Sequence, residues 1–408
     1  MPPPASRRVQ LGLVALVQIL VMGLWFSASS VVPALRAEWA LSREAGILLT
    51  ATVQVGFAAG AVVSAVANLA DRLRPQLLIA LSAALAAGAT LAFPFYGKEI
   101  WAAAALRFTT GFALAGVYPT GMKVVVSWFP RGRGTALGVL LGALALGSAA
   151  PQLLNGLDMP RWRDVLLVAA ALALLGSLIS LLFVKPGPNA RPAPPWAPAQ
   201  VTRLFRDRRQ RLIVFGYFGH MWELYALWTW LPAYLTASYA AWSPGPVSAR
   251  AVSFGAFAVI GIGGAIGCLA GGTLADRVGG IEVAKAAMLL SAACCVLSVA
   301  AFGAHPAVLF SLVLVWGIAA IADSGQFSAA LTEATDQAYV GTALTVQTAI
   351  GFGISVLTIQ ALPLLADAVG WRAAAPLLAL GPLAGAAALA RLSGTRARSR
   401  ELKGIKNA

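Results

Sequence analysis

The sequence predicts an all-α membrane protein with twelve transmembrane helices in two pseudo-symmetric six-helix bundles. Three observations predict it. Only 11% of the 408 residues are charged and 59% are apolar, whereas soluble domains carry about 25% charged residues. Uncharged runs of the length that crosses a bilayer recur at 9–35, 45–70, 77–97, 135–157, 165–184, 251–275, 340–366 and 373–390. Finally, the octet Gly272-Thr273-Leu274-Ala275-Asp276-Arg277-Val278-Gly279 has a worn copy half a chain earlier, Ala67-Asn68-Leu69-Ala70-Asp71-Arg72-Leu73-Arg74. Each copy joins two apolar runs through a short charged turn, as a duplicated bundle requires.

Four further spans complete the twelve. Two are interrupted by single charges, Arg107 and Glu223. The run 286–322 lacks acids, Lys and Arg, is too long for one helix, and is split by Gly303-Ala304-His305-Pro306. In chain order, helix 1 covers about 9–34 and carries Trp25, Phe26, Ser27, Ser29 and Ser30 in its outer half. It is too long for the apolar region of a signal peptide and reads as a retained helix. Helix 2 runs to about 70 and ends at the turn 71–74. Helix 3 closes on Phe93, Phe95 and Tyr96, rings suited to the membrane interface. Helix 4, about 100–125, holds Arg107. Helix 5, about 136–154, is rich in small residues (Gly138, Gly142, Gly147, Ser148) that let helices approach closely.

Helix 6 ends the first bundle, 1–184. A Pro- and Arg-rich stretch, 185–211, forms a cytoplasmic linker. The second bundle covers 212–392, and 393–408 is a basic cytoplasmic tail. Helix 7, about 212–238, contains Tyr217-Phe218-Gly219-His220-Met221-Trp222-Glu223-Leu224-Tyr225. Helix 8 covers 252–275, and helices 9 and 10 are parted near His305. Helix 11, about 340–365, is studded with Thr342, Thr345, Gln347, Thr348, Ser355 and Thr358, and helix 12 leads into the tail.

The formal net charge is +15. A nucleic-acid partner is rejected, because most of the 30 Lys and Arg fall on one side of the predicted spans or in the tail. That skew is the positive-inside signal, and it puts both termini in the cytoplasm. Usage of Ala, Gly and Arg suits a bacterium of high genomic GC content, hence the inner membrane. The three cysteines, Cys268, Cys294 and Cys295, lie in apolar spans and suggest no disulfide framework.

The repeated octet resembles the loop signature of the major facilitator superfamily, found between the second and third helices of each half. The second copy matches at every fixed position. The first has Ala67 and Arg74 where the family has Gly. Arg107-Phe108-Thr109-Thr110-Gly111 resembles the superfamily's helix 4 signature with Thr110 in place of Gln, and Trp128-Phe129-Pro130-Arg131-Gly132 is similar to its following loop. The resemblance covers essentially the whole chain. It implies the superfamily fold, a gating role for Asp71, Arg72, Gly272, Asp276, Arg277 and Gly279, and a central cavity lined by helices 1, 4, 7 and 10. In the octet Gly272 permits close approach, Gly279 permits a backbone other residues avoid, and Asp276 can accept from N–H groups at a helix start.

Chemistry is expected where charge is buried. Of fifteen acids, only Glu223 and Asp323 lie within spans. Arg107 is the basic residue clearly inside. A charge at mid-membrane costs about 2.5–3.5 kcal/mol by insertion scales, so each must face water or a partner. Helical spacing puts Tyr217, His220, Glu223 (or Leu224), Leu227 and Trp230 on one face, Trp316, Asp323 and Phe327 on another, and Arg107, Gly111, Ala115 and Tyr118 on a third. Gly111 and Ala115 leave open space beside Arg107. The family resemblance implies that the three charges converge in a shared wet chamber. The substrate- and proton-binding candidates are therefore Arg107, His220, Glu223, Asp323, Trp25, Tyr118, Tyr217, Trp230, Trp316 and Gln326.

No phosphate-binding loop, C-x-x-C pair or metal-ligand spacing is present in the sequence, so an enzyme is not expected, nor any cofactor or metal. The expected protein is a monomeric secondary transporter in the lipid bilayer, moving a small charged organic solute by alternating access with protons as coupling ion. Its rivals are a multidrug exporter of lipophilic cations and, from another class, a transporter-like receptor or scaffold without flux.

Overall fold

The computed structural model describes residues 4–67, 69–96, 99–157, 161–190, 201–243, 245–336 and 339–405. Part of the expected linker, 191–200, lies outside the described residues, as do the side chain of Asp71 and those of the tail, 393–408. Among the described residues every regular element is helical.

The first half holds α1 (Pro4–Trp39), α2 (Arg43–Val66), α3 (Pro75–Tyr96), α4 (Ile100–Trp128), α5 (Arg133–Gly156) and α6 (Trp162–Phe183). The second holds α7 (Arg208–Trp242), α8 (Ala249–Val278), α9 (Gly280–Ala301), α10 (Pro306–Ala334), α11 (Val340–Val369) and α12 (Trp371–Leu392). Among the described residues, eleven of these are long and apolar enough to cross a membrane. The twelfth, α7, has the length at 35 residues, but its Tyr, Trp, His and Glu side chains dilute its apolar character.

Two helices are broken at matching places in the two halves. α4 consists of Ile100–Leu114 and Tyr118–Trp128, and α10 of Pro306–Ala322 and Ser324–Ala334. In α4 the cause is Pro119, which has no N–H to continue the ladder and sits in the first turn of the second segment. In α10 the break falls on Asp323 itself. α8 carries a π-helical turn, Ala258–Gly263. Continuous helices were expected at all three places.

Glycine sets the tightest contacts. A β-carbon at Gly56 or Gly60 would collide with the carbonyl of Phe108 or Phe112, and one at Gly111 with that of Val53, so α2 and α4 meet backbone to backbone. The expected open space beside Arg107 is therefore filled by α2. The halves join along α5 and α8. Gly134 faces Gly272, Gly138 faces Cys268, Gly142 faces Ala265, Ala145 faces Gly264, and Ala149 faces Gly261. This seam of small residues runs from Gly134 to Ala149 on α5 and from Gly261 to Gly272 on α8, and beyond it Gly156 meets the ring of Phe254.

Candidate transport cavity and its buried charges

Between the halves lies a cavity of about 1430 Å³. Its lining places its mouth. α2 contributes Phe57, Ala61, Ser64 and Ala65; α4 contributes Tyr118, Met122 and Lys123; α11 contributes Thr345, Thr348 and Phe352. All belong to the half of the molecule nearer the face at which α1 begins and α12 ends, here the terminal face. Lys123, Arg133, Arg209, Asp276, Glu282 and Glu333 ring the mouth, with both signs represented. The far end is roofed by Phe57, Tyr225 and Phe352, with Trp25 packed behind them at ring-centre distances of 4.8, 5.5 and 5.6 Å.

His220 lines this cavity one helical turn from Tyr217. Its Nδ1 stands 2.7 Å from Asp323 Oδ1, an ion-pair contact with both side chains buried. Asp323 sits at the break in α10, and its neighbours Ala322, Ser324, Gly325 and Gln326 line the cavity. Tyr118, Tyr217, Gln326 and Thr348 also line it.

Glu223 is elsewhere. It is 2% exposed, and its Oε1 accepts from Ser291 Oγ (2.6 Å), Cys295 Sγ (3.1 Å) and Trp316 Nε1 (2.6 Å). These donors come from α9 and α10, so the carboxylate is enclosed inside the second half. Arg107 is 1% exposed and donates to the carbonyls of Leu24 (3.2 Å) and Trp25 (2.6 Å) on α1. Trp230 donates to the Ile359 carbonyl at 2.9 Å and packs on Trp371, away from the cavity.

The expectation of one chamber for three charges is thus corrected. Arg107 clamps two helices of the first half, Glu223 ties three helices of the second, and only Asp323, through His220, borders the cavity. The reason is angular. Four residues complete slightly more than one helical turn and three fall short of it, so Leu224 shares the cavity face with His220 and Glu223 turns toward α9 and α10. Trp316 follows Glu223, and Trp25 belongs to the roof. Residues missed from the sequence are Phe57, Tyr225, Phe352 and Thr348 in the cavity and Ser291 and Cys295 around Glu223. Tyr225, eight positions from Tyr217, was within reach of the spacing argument. The two α9 residues, four apart, gave no signal, because a Ser and a Cys in an apolar span read as packing.

The octet lies at the cavity mouth. Asp276 Oδ1 accepts from Gly134 N at 3.1 Å, and Oδ2 accepts from Thr135 N at 2.9 Å and Thr135 Oγ1 at 2.8 Å. It therefore caps the start of α5 from the other half, where free N–H groups and the helix dipole favour an anion. Gly279 takes φ 97° between α8 and α9, a conformation that suits glycine. Arg72 is exposed on the short helical turn Leu69–Arg72.

Two helical halves around a cavity that is shut at one end define a polytopic membrane carrier. The chain belongs to the Major Facilitator Superfamily, whose family profile matches residues 14–359. It is accordingly a multi-pass secondary transporter of a small solute. Among solved structures, the nucleoside transporter NupG, crystallised as a point mutant, is similar with a TM-score of 0.70 and 15% identity. The match covers 94% of this chain and 99% of that one, a likeness that shows the fold. No curated protein matches the chain in sequence.

Proposed function

We propose that the protein couples protons to the movement of a small charged organic solute by alternating access, with His220 and Asp323 as the coupling pair. The observation that carries this reading is their 2.7 Å contact at the break of α10, beside the cavity. A carboxylate and an imidazole are the two side chains best suited to take up and give up a proton near neutrality, and here they touch without forming an aligned hydrogen bond. A solute or a helix movement that separates them changes the charge each faces, and with it the proton each holds. By the charge skew of the sequence, the terminal face is cytoplasmic and the cavity opens inward across a bacterial inner membrane. The gating residues are those of the octet, with Asp276 holding α5.

The sign of the solute follows from Arg107. It is buried against α1 carbonyls and does not line the cavity, so the deep cavity offers His220, with Asp323 behind it, and the rings of Phe57, Tyr118, Tyr217, Tyr225 and Phe352. Aromatic faces with a nearby carboxylate suit an organic cation. This favours a cationic solute and lends weight to a second reading, export of lipophilic cations.

The test is a thermal-stabilisation screen of the purified protein at two pH values, with organic cations, organic anions and nucleosides, the last because the structural neighbour carries them. The best binder is then supplied to proteoliposomes containing a pH-sensitive dye. The expected result is solute-driven proton movement in the wild type and none in Asp323→Asn, which still binds solute but without pH dependence. Solute flux that moves no protons, or a fully coupled Asp323→Asn variant, removes the pair from the mechanism.

A further inference from the structure

The cavity roof is also the joint between the halves at the far end. Trp25 and Tyr225 stack at 5.5 Å, Phe26 meets Trp228 edge-on at 6.1 Å, and Phe57 lies 4.5 Å from Phe352. Each pair takes one ring from the first half and one from the second, so opening toward the opposite face must separate all three. Trp25 and Trp228 are 3% and 2% exposed. Each has its indole Nε1 buried without an acceptor. By contrast, Trp128, Trp162, Trp222, Trp230 and Trp316 all donate to an oxygen. Trp39, half-buried at the end of α1, shares the unpaired condition.

We infer that Trp25 and Trp228 form a gate that is closed against its own hydration. A buried donor without an acceptor is disfavoured relative to the same donor in water. Closing the six rings removes both N–H groups from water, and opening them toward the opposite face restores it. Ring packing holds the gate shut, while the two indole nitrogens press it open. The balance keeps both conformations within reach, as alternating access demands. Arg107 is a positioning residue for this gate, because its donations to the Leu24 and Trp25 carbonyls fix the turn of α1 that carries Trp25.

The test separates ring from nitrogen. Trp25→Phe with Trp228→Phe keeps aromatic packing and deletes both N–H groups. Reporter cysteines are placed, in a Cys268→Ala background, at Ser64 in the cavity lining and at Ser30, beyond Trp25 on α1. A membrane-impermeant maleimide is applied to sealed vesicles of each orientation. The expected result is a rise of at least fivefold in the ratio of Ser64→Cys to Ser30→Cys labelling, with each single Phe variant moving it the same way by a smaller factor. Trp25→Ala with Trp228→Ala, which removes the rings, should lower the ratio. A ratio unchanged or lowered by the Phe substitutions overturns the inference, even where the Ala pair shows that the rings form the seal.

Discussion

Glu223 and Asp323 are both buried carboxylates, yet their neighbours assign them different work. Three neutral donors converge on one oxygen of Glu223. Glu223→Ala would strand the Trp316 N–H and the Ser291 hydroxyl, at about 1–3 kcal/mol for a buried unpaired group. We expect a clear fall in melting temperature for Glu223→Ala, a small one for Glu223→Gln, which keeps an acceptor, and coupled transport retained in Glu223→Gln. Loss of coupling with an unchanged melting temperature in the Gln variant would return Glu223 to the transport pathway. The sequence disclosed these residues because a charge inside an apolar span is costly. It did not disclose their partners. Position along a helix fixes the direction of a side chain only to within a sector, and which helix occupies that sector depends on the whole packing. Arg107 shows the same limit: its burial was legible, its engagement with α1 carbonyls was not.

At the scale of elements, most helices were legible because bilayer length and apolar composition leave few alternatives. Breaks were harder to see. Pro119 signals the interruption of α4, but Pro33, Pro94, Pro151, Pro232 and Pro363 all sit inside helices that continue, so proline alone does not decide. The break at Asp323 has no local marker of that kind. Glycine is similarly ambiguous in sequence and sharply divided in space. A β-carbon at Gly138 would stand 2.5 Å from the Cys268 carbonyl oxygen, whereas one at Gly88 meets nothing within 4 Å. Gly138→Ala should therefore destabilise the protein by about 1–3 kcal/mol through overpacking. Gly88→Ala should stabilise it by up to about 1 kcal/mol through helix propensity. Thermal unfolding in detergent measures both, and equal effects would show that the seam yields more easily than its geometry indicates.

At the scale of the whole molecule, the duplication read from the octet extends to features no motif announced, above all the matching breaks in α4 and α10. The two flanks between the halves nevertheless differ. On one, α5 and α8 touch along their length and Asp276 fastens them at the terminal face. On the other, α2 and α11 meet at Phe57 and Phe352, and below that level both line the cavity. A β-carbon at Gly142 would lie 3.5 Å from that of Ala265, within the range a disulfide spans. Gly142→Cys with Ala265→Cys should therefore cross-link α5 to α8 under oxidation. We expect solute-driven proton flux to survive that cross-link. Flux that stops on oxidation and returns on reduction would show that this flank must part during transport. Where it stays joined, the carrier opens like a book about its spine. A passenger too broad for the pages is then stopped at the fore-edge, and the bulk it can admit is set by how far two helices swing rather than by the volume at rest.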